Sequence, residues 1–123
     1  MNNILPPPGA TIATNAFGPF YTHFGIMGDN GLIIHASKRL GLVVEEALSE
    51  FTQGASWRHS SIRGNKPANE VISWARSRKG QRWDLFNSNC EHFVRMAHGL
   101  PKQCKQMVTT VVSVALFLLF KGK

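Results

Sequence analysis

Tyr21-Thr22-His23-Phe24-Gly25-Ile26-Met27-Gly28-Asp29-Asn30-Gly31-Leu32-Ile33-Ile34-His35-Ala36 decides how the rest of the chain is read. Two apolar runs rich in aromatic and β-branched residues, Phe20–Met27 and Leu32–Ala36, flank a turn signal, and together they predict a β-hairpin. Loop length then sets the direction of the two histidines. A two-residue loop at Asn30-Gly31 pairs Ile26 with His35 and puts the imidazoles on opposite faces. A three-residue loop at Asp29-Asn30-Gly31 pairs Gly25 with His35. His23 then lies diagonal to His35 on the same face, roughly 7–8 Å away between Cα positions. Asp29-Asn30-Gly31 suits the three-residue form, a type I turn closed by a left-handed residue, although Asn-Gly suits the shorter turn equally. In the three-residue register Gly25 is expected to leave open space beside His35.

Downstream, Asn87-Ser88-Asn89-Cys90-Glu91-His92-Phe93 opens a helix expected over Asn89–His98. Ser88 and Glu91 have capping-box spacing, Gly99 ends the helix and Pro101 blocks its continuation. Cys90, Phe93, Val94 and Ala97 form its apolar stripe, so Cys90 sits in the first turn on the inward face, and His92 is expected to point outward. An earlier helix is predicted over Pro67–Lys79, capped by Asn65, with Ala68, Val71, Ile72 and Ala75 inward and Gly80 at its end. Thr11–Ala16 and Leu42–Val44 read as short strands, Glu45–Phe51 as a helical turn or loop, and Gly54–Ser61 as a loop anchored by Trp57. Trp83–Phe86 reads as extended. The fold class is therefore α+β, an antiparallel sheet packed against a cysteine-bearing helix.

The 123 residues make one domain, read as residues 1–105, followed by a hydrophobic tail at 106–123. Gln106–Phe120 carries no charge and is flanked by Lys105 and Lys121. As a helix of about 22 Å it is short of a roughly 30 Å hydrocarbon core, which makes it a membrane-inserting or borderline transmembrane segment. Fourteen Lys+Arg against seven Asp+Glu leave a net charge of +7, which attracts phosphate on nucleic acid or on a lipid surface. Half of the basic residues fall between Arg58 and Arg82, and Arg76, Arg78, Lys79 and Arg82 are the expected membrane or phosphate contacts. The N-terminal Met1-Asn2-Asn3 followed by Pro6-Pro7-Pro8 does not read as a secretory signal. A cytoplasmic, reducing setting with Cys90 and Cys104 as thiols is expected, and Cys104 beside Lys105 is a candidate acylation site.

One cysteine at a helix start and two histidines on one sheet face are the parts of a thiol nucleophile. A helix N-terminus favours the thiolate, an imidazole takes the proton, and a third group orients that imidazole. The backbone N–H of Cys90 and the hydroxyl of Tyr21 are candidate oxyanion donors. No paired ligand spacing such as Cys-x-x-Cys is present, so neither a metal nor another cofactor is expected.

These motifs, in this order, resemble the lecithin:retinol acyltransferase-like or H-box/NC family, a circularly permuted branch of the papain-like NlpC superfamily. The likeness is carried by Pro8-Gly9, by Tyr21–Ile26 with Gly31–His35, by Asn89-Cys90-Glu91-His92-Phe93-Val94, and by Gly99-Leu100-Pro101 before the apolar tail. Ala10 stands where the family carries an acidic residue, and the segment between hairpin and cysteine is compact. The resemblance implies Cys90 as nucleophile, His23 as base and His35 as the orienting residue. It implies a phospholipase A1/A2 and acyltransferase working through an acyl-cysteine thioester, held to membranes by the tail. It also implies an alternative, since picornaviral 2A-type proteins carry the same motifs with roles in RNA binding or as replication adaptors. A monomer is expected in either case.

Overall fold

The computed structural model describes residues 4–16, 18, 21–84 and 89–101. It holds a five-stranded antiparallel sheet in the order β4-β3-β2-β1-β5. β1 is Thr11–Thr14, β2 His23–Met27, β3 Ile33–Ser37, β4 Leu42–Glu46 and β5 Trp57–His59. α1 (Leu48–Thr52), α2 (Ala68–Ser77) and α3 (Cys90–Ala97) complete the described elements. Four strands follow one another as a meander, and after α1 the chain crosses to the far edge, where β5 pairs with β1.

The hairpin takes the three-residue loop. Ile26 pairs with Ile34 and Met27 with Ile33, while Gly28 N–H donates to the Leu32 carbonyl at 2.8 Å, leaving Asp29-Asn30-Gly31 outside the ladder. Gly31 adopts φ +80, the left-handed conformation that closes this turn. Asn30 Oδ1 accepts the Leu32 N–H at 3.1 Å, an Asx interaction that favours this loop over the shorter one.

Side chains alternate between the two sheet faces. Ile26, Ile34, Ala36 and Val43 point to one face, where Val71, Ile72 and Ala75 of α2 and Cys90, Phe93, Val94 and Ala97 of α3 cover them. Ile12, Met27 and Ile33 point to the other face and are covered by Phe51 of α1, with Leu5, Leu48 and Trp57 at the margin. Both predicted helices form, each slightly shorter than expected. α2 takes Pro67 as its N-cap residue rather than Asn65. In α3 the cap is Asn89, whose side chain accepts the His92 N–H at 3.0 Å. Ser88 lies outside the described residues, as do Phe20, the end of the Trp83–Phe86 run, Cys104 and the apolar stretch 106–120. Among the described residues no helix is long and apolar enough to cross a membrane.

Three expectations are corrected. Trp57–His59 is an edge strand and not a loop, because its backbone completes the ladder of β1. His92 is buried at 3% exposure instead of facing water. The open space expected beside Gly25 is filled: a Cβ there would stand 2.6 Å from Ile33 Cγ2 and 2.9 Å from Phe51 Cε1.

Candidate active site

The register places His23 and His35 on the Phe51 face, and their rings meet. His23 Nε2 and His35 Nδ1 are 2.9 Å apart, and the rings lie edge to face with centroids at 4.9 Å. Phe51 packs against both, at 5.1 Å from the His23 ring and 5.0 Å from the His35 ring. Both histidines are almost completely buried. Burial, with His35 and the Arg39 guanidinium nearby, pushes the His23 imidazole down to about 3. Burial and Arg39 hold His35 down at about 4. The charged form of an imidazole loses most when water is removed and a cation is close, so both rings are neutral at pH 7.

Cys90 reaches the same end of β2 from the other side of the sheet. It is a buried thiol and the first residue of α3. Its Sγ lies 3.4 Å from the Tyr21 hydroxyl, where either atom can donate, and its S–H donates to the Thr22 carbonyl at 3.9 Å. The thiol thus touches the two residues that lead into His23. At the first position of a helix the backbone N–H is not consumed by the intrahelical ladder, and the positive end of the helix dipole favours a thiolate over a thiol. Lys38 stands over the Tyr21 ring at 5.5 Å and the Trp83 ring at 5.9 Å, a cation beside the residue that touches Sγ.

A cavity of about 360 Å³ flanks this end of α3 and is lined by Thr22, Phe24, Arg58, Ser61, Glu91 and Arg95 among others. Arg58 donates to Asn15 Oδ1 at 2.6 Å and to Thr22 Oγ1 at 3.2 Å. Glu91 is buried beneath this cavity, and its Oε1 has no hydrogen-bond partner among the described residues. A capping-box role would have engaged that carboxylate at the helix start, but here Asn89 does the capping.

The four expected phosphate contacts lie elsewhere. Arg76 is ion-paired with Asp29 at 2.7 Å and Glu45 at 3.1 Å, and Lys79 with Glu45 at 2.8 Å. Burial pushes the Glu45 carboxyl up, but the donors of Arg76, Lys79 and Asn30 outweigh it and hold it at about 2. This cluster ties the hairpin loop and β4 to α2. Arg78 stacks over Trp74 at 5.0 Å, and Arg82 bridges Leu42 at the sheet edge.

Three residues at the site were not singled out in the sequence. Phe51 covers both rings, and Glu46 and Arg39 continue the hydrogen-bond chain beyond His35. Extending β4 through Glu46 would have exposed the second of these, because Glu46 then shares a face with His35. A family model described as lecithin retinol acyltransferase matches residues 5–99, a span that includes every described strand and helix. A comparison with curated proteins returns no match.

Proposed function

The chain belongs to the lecithin retinol acyltransferase family, and from that membership we propose a thiol-dependent phospholipase A1/A2 and acyltransferase acting on glycerophospholipids. The observation that carries the proposal is the setting of Cys90. Its Sγ lies 3.4 Å from Tyr21 Oη at a helix start, beside the strand end where a 2.9 Å imidazole pair begins.

In this reading His23 takes the Sγ proton and the thiolate attacks the ester carbonyl carbon. The Cys90 N–H and the Tyr21 hydroxyl stabilise the oxyanion that forms. The C–O bond breaks, the leaving lysophospholipid alkoxide takes the proton back from His23, and the acyl group remains on sulfur as a thioester. Water, or an amine or hydroxyl acceptor, then gives its proton to His23 and attacks the thioester carbon; the C–S bond breaks and His23 returns the proton to Sγ, which restores the thiol. His35 holds the His23 ring. The lipid phosphate is assigned to the cavity bearing Arg58 and Arg95. Arg78 and Arg82, with the apolar stretch 106–120, would hold the domain at an anionic surface, at about 1 kcal/mol per basic residue near the surface. The histidine strands precede the cysteine helix, the reverse of the papain order, which agrees with a permuted papain-like arrangement.

The test is lysophospholipid release from phosphatidylcholine vesicles. Cys90→Ala and His23→Ala should each lower it by about 10³-fold or more. Release at the wild-type rate from Cys90→Ala would remove the thiol from the mechanism.

A further inference from the structure

The hydrogen-bond chain does not stop at His35. His35 Nε2 lies 2.8 Å from Glu46 Oε1, and Arg39 Nη2 donates to both Glu46 oxygens, at 3.0 and 2.9 Å. The His35 and Glu46 side chains are 2% and 10% exposed. The placement follows from the β3–β4 register. His35 faces Val44 and Ile33 faces Glu46, so Glu46 lies diagonal to His35 on the same sheet face. Its neighbour Glu45 points to the opposite face, toward α2.

A carboxylate offers only acceptors. Oε1 accepts from Arg39, so the His35 contact requires the hydrogen to sit on His35 Nε2. In a neutral imidazole Nδ1 is then the unprotonated acceptor. The 2.9 Å contact with His23 must therefore be His23 Nε2–H donating to His35 Nδ1. That leaves Nδ1 as the basic nitrogen of His23. We propose that Glu46, anchored by Arg39, is a positioning residue that sets the tautomers of His35 and His23 and so makes His23 Nδ1 the atom that receives the Cys90 proton. The tautomer assignment stands on these contacts alone, while its catalytic consequence rests on the thiol reading above.

The charged groups facing the two rings are Glu46 from β4 and Arg39 from the turn between β3 and β4. From α1 the neighbour is the neutral Phe51. Both imidazoles are neutral at pH 7, so a tautomer has to be selected. When Sγ bonds to the ester carbon, its proton passes to His23 Nδ1 and His23 becomes an imidazolium. Its Nε2–H bond to His35 is unchanged, and the Glu46 carboxylate faces the new charge two hydrogen bonds away. The proton leaves from Nδ1 to the departing alkoxide, and none needs to reach Glu46. Without Glu46, His35 is at liberty to carry its hydrogen on Nδ1. It would then donate to His23 Nε2 and force the His23 hydrogen onto Nδ1, where no thiol proton can be taken.

Long-range proton–nitrogen correlation on the ¹⁵N-labelled full chain at pH 7 reads the tautomers directly. Both His23 and His35 should carry hydrogen on Nε2, and an Nδ1–H form of either ring in the wild type overturns the proposal. Glu46→Ala should give His35 a mixture of tautomers. It should lower kcat for lysophospholipid release by about 10-fold or more, with KM within about twofold. Unchanged tautomers and unchanged kcat in Glu46→Ala would also overturn it. Expected tautomers in a wild-type chain that releases no lysophospholipid would uphold the positioning and contradict the acyl-transfer reading, so the two can fail separately.

Discussion

Gly25 shows how much of the site depends on one residue with no side chain. It lies between the histidines in the register, and the volume a Cβ would need is held by Ile33 and by Phe51, the ring that seals both imidazoles. Gly25→Ala should therefore destabilise the protein by about 1–3 kcal/mol through overpacking, visible as a lower urea midpoint. It should also displace Phe51, which the imidazole resonances would register. An unchanged midpoint would mean that Phe51 does not seal the rings as described. His23 and His35 share a face only in the three-residue register, and the sequence suits the shorter turn equally, so their pairing is settled by the ladder Ile26–Ile34 and Met27–Ile33. Glu46 is not legible, because a strand ended at Val44 lacks the alternation that puts Glu46 beside His35, and Phe51 is not, because the short α1 carries no apolar period.

At the scale of elements, α3 matters most because its first residue carries the thiol. Its start is fixed by Asn89, which is 1% exposed and bonded to the His92 N–H. Asn89→Ala should cost about 1 kcal/mol of stability. It should also lower amide protection in the first turn of α3 more than in α2, as measured by hydrogen exchange. Equal loss of protection in both helices would argue for a global effect instead of a local cap. Both helices were legible from their apolar period, which survives small errors at the ends. β5 was not legible, since three half-exposed or exposed residues carry no period of their own. It exists through pairing with β1, more than 40 positions earlier. The α1 turn is likewise defined by where Phe51 packs rather than by its own pattern.

For the whole molecule, the neutral histidine pair makes folding sensitive to acid. Both folded-state values lie below the ordinary 6.5, at about 3 for His23 and about 4 for His35. Below pH 6.5 the unfolded chain binds protons that the folded chain refuses. The stability these groups contribute is therefore complete above pH 6.5 and is lost as pH falls toward 4 and then 3. Between pH 7 and pH 5 the loss should be roughly 2 kcal/mol per ring, read as a drop in the urea midpoint. A flat profile over that window would show that the rings titrate normally and are not sealed. The +7 net charge and the apolar stretch 106–120 belong to this scale as well, and under the proposed function they bring the sealed site to a lipid interface.

Under the proposed function Cys90 carries the acyl group. Intact-protein and peptide mass spectrometry after brief exposure to phosphatidylcholine vesicles tests it most directly. One added acyl mass is expected on the peptide that contains Cys90, cleared by hydroxylamine and missing from Cys90→Ala. An acyl mass found only on the Cys104 peptide, or none on either cysteine while lysophospholipid accumulates, would contradict it.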